Sequence, residues 1–211
     1  MILNSPSGKD ILFIHIRKNA GHSIGKFFRK LGLVKEELWR TTAAASDESV
    51  TLKTPLSDGL LKPVDPSTQG MRKLELFLAI KKYTSFAIVR NPYERVLSCW
   101  KYCKSTKNRD LKDCLKNPPK KGHDHRHFTL KQTDFIAYDK QIIVDYVLRI
   151  ETLQSDLEKM CNSIGIDLKG AKIPHIHKQK YKAITEGLTP SGKQKIYEAY
   201  KEDFELLGYE K

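Results

Sequence analysis

Cysteine is scarce in this 211-residue chain, and the four present, Cys99, Cys103, Cys114 and Cys161, form no C-x-x-C pair. The sequence therefore suggests neither a zinc ribbon nor a thioredoxin-type centre nor a disulfide scaffold, and free thiols are expected. Long apolar runs are missing too. The candidates, Ile11 to Ile16 and Phe86 to Val89, are strand-sized, far short of the ~20 residues of a membrane span. Met1 to Asp10 lacks a basic segment followed by an apolar stretch, so no secretory leader is read there and the chain is expected to be cytoplasmic. Acid is in deficit: 25 Asp and Glu against 38 Lys and Arg leave a net charge of +13. An anionic partner is expected, whether nucleic acid, acidic glycan, membrane surface or phosphorylated cofactor. With 39% apolar and 30% charged residues the rest of the composition is that of a globular protein, read as one domain over residues 1–211.

Ile11-Leu12-Phe13-Ile14-His15-Ile16 is a nearly continuous apolar run, the pattern of a strand covered on both faces. It stops at Arg17-Lys18-Asn19-Ala20-Gly21-His22. Ser23 then reads as a cap for a helix carrying Ile24, Phe27, Phe28 and Leu31, ended by Gly32. The same order returns at Thr84 to Val89, a second buried strand that exits through Arg90-Asn91 into a helix with Pro92 at its first position. Segments 34–70 and 107–127 read as irregular, and a helix is expected over Met71 to Lys82. Further expectations are a short helix in Thr129 to Tyr138, a third strand in Ile142 to Ile150, and an amphipathic helix from Thr152 to Ile164. A last helix runs from Thr189 to Leu207. Strands alternating with helices predict an α/β fold with a P-loop-like parallel sheet flanked by helices.

Ligands of such sheets bind beyond the carboxyl ends of the strands, where both polar turns lie. At the first turn, helix-opening amides, Gly21, the Ser23 hydroxyl and the Lys18 charge make a cradle for an anion. A solvated lysine and a simple cap would give the same residues. A nucleoside-phosphate kinase loop, G-x-x-x-x-G-K-[ST], fits poorly. Gly21-His22-Ser23-Ile24-Gly25-Lys26-Phe27 is one spacer short and places Phe27 where a magnesium-binding hydroxyl belongs.

His15-Ile16-Arg17-Lys18-Asn19-Ala20-Gly21-His22-Ser23 resembles the H-I-P-K-x-[GA]-G-[TH]-S signature of the Golgi-type carbohydrate sulfotransferases. Phe86 to Ser98 resembles their F-x-x-V-R-[ND]-P-[YFW]-x-R-x-x-S signature, Leu148 to Leu153 their R-F-E-x-L. Ile173-Pro174-His175 and the ending Tyr200 to Tyr209 continue the likeness in order. The resemblance implies the sulfotransferase fold and 3′-phosphoadenosine 5′-phosphosulfate (PAPS) as co-substrate. Asn19, Ala20, Gly21, His22 and Ser23 match the 5′-phosphosulfate loop, Lys18 the catalytic lysine, and Arg90 and Ser98 the 3′-phosphate ligands. Arg17 stands where the signature has proline and adds charge beside the sulfate, and His22 stands where threonine is commoner. An ion pair of Arg90 with Glu94 or Glu151 is the plainer reading of that arginine.

An acceptor hydroxyl needs a base, expected to titrate near pH 6–7. His127 occupies a stretch, His127 to Gln132, that resembles the family's H-x-x-P-Q without its proline; His125, His22 and His175 are rivals. His123, His125 and His127 also invite a metal reading, but the family resemblance calls for no catalytic metal, and none is expected. The basic residues between Lys104 and Arg126 suit an acidic glycan or other hydroxyl-bearing acceptor. No nucleic-acid-binding motif is present, although a basic non-enzymatic nucleic-acid binder and a P-loop small-molecule kinase are the alternative readings. By the same resemblance, a Golgi-lumen location would follow if an N-terminal anchor preceded this chain.

Overall fold

A computed structural model describes residues 1–6, 8–36, 78, 80–174 and 188–211. Its centre is a five-stranded sheet of β1 (Ile2–Leu3), β2 (Ile11–Ile14), β3 (Val34–Glu36), β4 (Thr84–Val89) and β7 (Tyr146–Arg149), in the order β3-β1-β2-β4-β7. β2, β4 and β7 are parallel, with Ile14 opposite Ala87 and Val89 opposite Arg149, while β1 is antiparallel to both its neighbours. A separate hairpin pairs β5 (Ala137–Tyr138) with β6 (Gln141–Ile142). Its two connecting residues, Asp139 and Lys140, both have positive φ, as a type I′ turn requires.

Side chains alternate across each strand, and both faces are covered. Ile11, Phe13, Phe86 and Ile88 pack with α1 (Gly21–Lys30) and α6 (Leu153–Ser163) through Ile24, Phe28, Leu157 and Cys161. Leu12, Ala87 and Val89 face the other way, onto Phe135 and Ile136 of α5 (Thr133–Ile136) and Leu207 of α8 (Lys201–Leu207). A third cluster joins α2 (Pro92–Tyr102), α4 (Gly122–Thr129) and α7 (Pro190–Ala199) through Tyr93, Val96, Cys99, Phe128 and Ile196. The mixed α/β layering with a mostly parallel central sheet is the fold expected from the sequence. All four cysteines are free and buried. Among the described residues no helix is long and apolar enough to cross a membrane.

Several local expectations change. Segment 107–127 is not one surface loop: it holds α3 (Leu111–Lys116) and most of α4. Asp110 starts α3 by accepting from the amides of Lys112 and Asp113 at 2.8 and 3.4 Å, and Cys114 anchors it in the core. Ser23 is not the cap of α1; Ala20 holds that position with φ 58° and no side-chain bond, and Ser23 is buried within the first turn. The strand expected over Ile142 to Ile150 is confined to Tyr146–Arg149, followed by a 3-10 turn, Ile150–Thr152. The last helix divides at Tyr200, whose buried hydroxyl bonds the Phe128 carbonyl and whose backbone (φ −122°, ψ 26°) leaves the helical range. Val34–Glu36 is a strand. The rest of segment 34–70, most of the Met71 to Lys82 helix and His175 lie outside the described residues.

Candidate active site

Because β2 and β4 are parallel neighbours, the chain leaves both at the same edge of the sheet, into Arg17–Ala20 and into Arg90–Asn91. Lys18 and Ala20 have φ of 69° and 58°, left-handed values on either side of Asn19. Non-glycine residues resist this conformation, and two in one turn are held only where the surroundings enforce them. Alternating left-handed residues of this kind are the backbone pattern of anion-binding nests, although the Asn19 amide is already bonded to the Ile16 carbonyl at 3.3 Å; α1 follows, its first ladder bond being Ile24 N–H to the Ala20 carbonyl at 3.0 Å. Gly21 is fixed by a neighbour: a Cβ there would lie 2.1 Å from Cδ2 and Nε2 of His15. Burial, followed by the charges of His22 and Arg17, lowers the His15 pKa to about 4, so its ring is neutral.

One buried amide welds the two turns together. Gln132 Oε1 accepts from Asn19 Nδ2 at 2.7 Å and from the Arg90 amide at 2.9 Å, while Gln132 Nε2 donates to the Arg90 carbonyl at 2.8 Å. Asn19 Nδ2 also donates to the Ile88 carbonyl at 2.8 Å. The fully buried Asp203 carboxylate in turn accepts from the amides of Gln132 and Thr133 at 3.0 and 2.9 Å. The Asn19 side chain thus ties β2's exit to β4.

The cations gather around this frame. Arg90 is 9% exposed, with Nη2 3.0 Å from Glu94 Oε2, so the ion pair anticipated from the sequence is present. Glu151 instead accepts the Asn91 amide at 2.8 Å, and Asn91 Oδ1 caps α2 by accepting from the Tyr93 amide at 2.9 Å. Ser98 is buried farther along α2. Lys18 places Nζ 3.5 Å above the centre of the Tyr102 ring, a cation–π contact. Burial chiefly, with the Arg90 charge adding, lowers the Lys18 pKa below its ordinary value. Arg17 reaches α4, where its Nη1 is 3.1 Å from His123 Nε2 and 3.4 Å from His127 Nε2. The buried Arg95 fastens the turn from below, donating to the carbonyls of Arg17 at 3.3 Å and Leu130 at 2.8 Å.

His127 is buried against this cluster, its ring 5.3 Å from that of Tyr102 and its Nε2 3.3 Å from His123 Nε2. The expectation of a base titrating near neutrality does not hold for the free protein. Burial first, then the charges of Arg17, His123 and Lys18, lower its pKa to about 3. His22 is exposed at the start of α1, and His125 turns away, Nδ1 2.7 Å from the Pro119 carbonyl. The triplet 123, 125 and 127 therefore does not converge on one point. Phe27, at the position a kinase loop needs for its hydroxyl, is 2% exposed in the core. Sequence reasoning passed over the parts played by His15, Arg95, Tyr102, His123 and Gln132. Of these, His15, Arg95 and Gln132 stood within a quoted motif, but nothing in the motifs gave their contacts.

Comparison with known proteins decides what this pair of turns belongs to. The sequence model of the sulfotransferase family matches residues 6–210. The chain belongs to the sulfotransferase family. No curated protein and no solved structure matches the chain. The family match extends over both turns, α4, β7 and the C-terminal helices. The mostly parallel sheet flanked by helices agrees with a sulfotransferase fold. As a sulfotransferase the protein is a transferase of sulfuryl groups, and Arg17, Lys18 and Arg90 stand at the exits of β2 and β4.

Proposed function

We propose that this sulfotransferase moves the sulfuryl group of PAPS to a hydroxyl of an acidic carbohydrate or other hydroxyl-bearing acceptor by in-line displacement. The observation that carries the reading is the pair of strand–turn–helix units on parallel neighbours, one ending in Lys18 to Ser23 and the other in Arg90. The left-handed turn at Lys18 and Ala20 and the helix-opening amides that follow it make a cradle that suits a phosphosulfate, so the residues fit the donor. Amides from Ala20 to Ser23 would hold the 5′ end, with Lys18 and Arg17 supplying charge, while Arg90 and Ser98 would hold the 3′-phosphate. Glu94 orients the Arg90 guanidinium for that contact.

PAPS supplies an activated sulfuryl group, and the chain supplies charge and proton handling. Lys18 neutralises the negative charge that builds on the bridging oxygen as the sulfur–oxygen bond breaks. His127 accepts the proton of the attacking hydroxyl. A surface cleft of about 420 Å³, lined by Ser105, Pro119, Lys120, Lys121, His123 and Asp124, adjoins the histidine pair. Its two lysines favour an acceptor bearing carboxylate or sulfate. The test is calorimetry with adenosine 3′,5′-bisphosphate, followed by transfer from radiolabelled PAPS to a panel of acidic glycans. Arg90→Ala should weaken bisphosphate binding by about 2–3 kcal/mol, the scale of a lost charge-assisted contact. Equal affinity for adenosine 5′-monophosphate would overturn the 3′-phosphate assignment.

A further inference from the structure

Three nitrogens meet beside the first turn. Arg17 Nη1 is 3.1 Å from His123 Nε2 and 3.4 Å from His127 Nε2, and the two imidazole nitrogens are 3.3 Å apart. A guanidinium only donates, so both imidazoles face it as acceptors and carry their protons on Nδ1. The far side of the His123 ring agrees with that assignment: His123 Nδ1 is 3.5 Å from Asp124 Oδ1, which Ser105 holds through Oδ2. His127 Nδ1 is buried with no hydrogen-bond partner among the described residues, so its tautomer is set by the Nε2 contact with Arg17 alone. A second proton on either Nε2 would confront the guanidinium directly.

Arg17 is held at its backbone, where Arg95 binds its carbonyl, so its side chain is the part that can swing. An anionic sulfate or phosphate oxygen is a stronger partner for a guanidinium than a neutral imidazole, because the bond is charge-assisted and can be bidentate. We infer that Arg17 is a donor-responsive clamp: it occupies the proton-accepting nitrogens of His123 and His127 in the free protein and releases them when a phosphosulfate in the adjoining turn draws its guanidinium away. The inference rests on the PAPS reading of that turn. Proton acceptance is thereby tied to donor binding. As the acceptor oxygen bonds to sulfur, its proton passes to the vacated Nε2, and the electron pair of the breaking bond stays on the departing phosphate oxygen.

The surrounding field sharpens the switch. Arg17 and Lys18 face the pair from the turn and Arg95 from α2, which also brings Tyr102 against His127 and bonds the His127 carbonyl through Cys99 at 3.2 Å. On α4, Asp124 faces His123, and Arg126 acts on Arg17. Moving one cation onto an anion removes the Arg17 part of this bias, while the larger part set by burial stays.

Nitrogen-15 NMR of the histidine side chains, followed against pH, tests the clamp. Saturation with PAPS in the absence of acceptor should raise the His127 midpoint by about one pH unit or more, roughly tenfold in proton affinity. Arg17→Gln should give a comparable rise without donor, and PAPS should then add little. A wild-type titration in Arg17→Gln overturns the clamp. Calorimetry on the same samples separates the two readings. PAPS that binds without moving the wild-type titration overturns the clamp and leaves the donor assignment standing. Failure of PAPS to bind overturns the donor assignment and, with it, the switch. The wild-type donor titration needs no variant, so the clamp is decided even if Arg17→Gln does not fold.

Discussion

His15 lays its imidazole so close to Gly21 that a methyl group there would stand 2.1 Å from ring atoms. Gly21→Ala should therefore destabilise the protein by about 1–3 kcal/mol, the usual cost of overpacking a filled site. In denaturant titrations, combining it with His15→Ala should cost less than the sum of the two single changes, since removing the ring vacates the space. Strict additivity would show that the two do not meet. Lys18, the next residue of consequence, is steadied by Tyr102. Lys18→Ala should lower kcat by about 10²–10³-fold, the scale of one preorganised electrostatic contact, while adenosine 3′,5′-bisphosphate affinity falls much less. An unchanged kcat with a raised KM would make Lys18 a binding residue only. Lys18 and Gly21 are readable in the sequence because their turn lies in a long motif and is matched by a second strand–turn–helix, whereas the turn alone would also suit a solvated lysine and a simple cap. His15's role is not readable, because strand and helix must be folded before its ring is seen to cover Gly21.

Each strand–turn–helix unit is legible for a simple reason: an apolar run that stops at a polar turn and resumes at helical spacing has one good solution. The bond between the units is not legible, since Gln132 comes from a third place in the chain. Its side chain satisfies the Arg90 amide, the Arg90 carbonyl and Asn19 Nδ2 together. Gln132→Ala leaves buried backbone groups unpaired, and a loss of about 2–4 kcal/mol in urea unfolding is expected. Bisphosphate affinity should fall with it, because the two turns lose their fixed separation. A loss below about 1 kcal/mol would mean that the turns hold their spacing without this tie. The tract from Lys107 to Arg126 misled for the opposite reason. Its lysines and prolines read as loop, yet Asp110 caps a helix whose Cys114 is buried in the core, which offsets its weak propensity.

At the scale of the whole molecule, the +13 charge foretells an anionic partner, but not that two histidines are held neutral inside the cationic end of the sheet. Their state follows from burial and from the cations around them, which composition does not place. It carries a consequence for stability. His15 and His127 titrate at about 4 and about 3 in the folded protein, against 6.5 for an unperturbed histidine. Between those values the unfolded chain binds protons that the folded chain refuses, so stability falls as pH falls. The contribution is complete above about pH 6.5 and is lost progressively as the solution is acidified toward the folded-state values. Carboxylates act lower: Asp113, held down by Arg109, and Glu158, held down by Gln154 and Lys172, start from ordinary values of 3.8 and 4.5. The interval from pH 6.5 to 4.5 thus belongs mainly to the histidines. Urea midpoints should drop across it by the equivalent of about 2 kcal/mol for each ring, roughly 4 kcal/mol for the two together, and His15→Gln or His127→Gln should each flatten the slope. If both variants keep the wild-type slope, the two rings are already accessible to protons in the folded protein, and the neutral, cation-flanked state assigned to them is wrong.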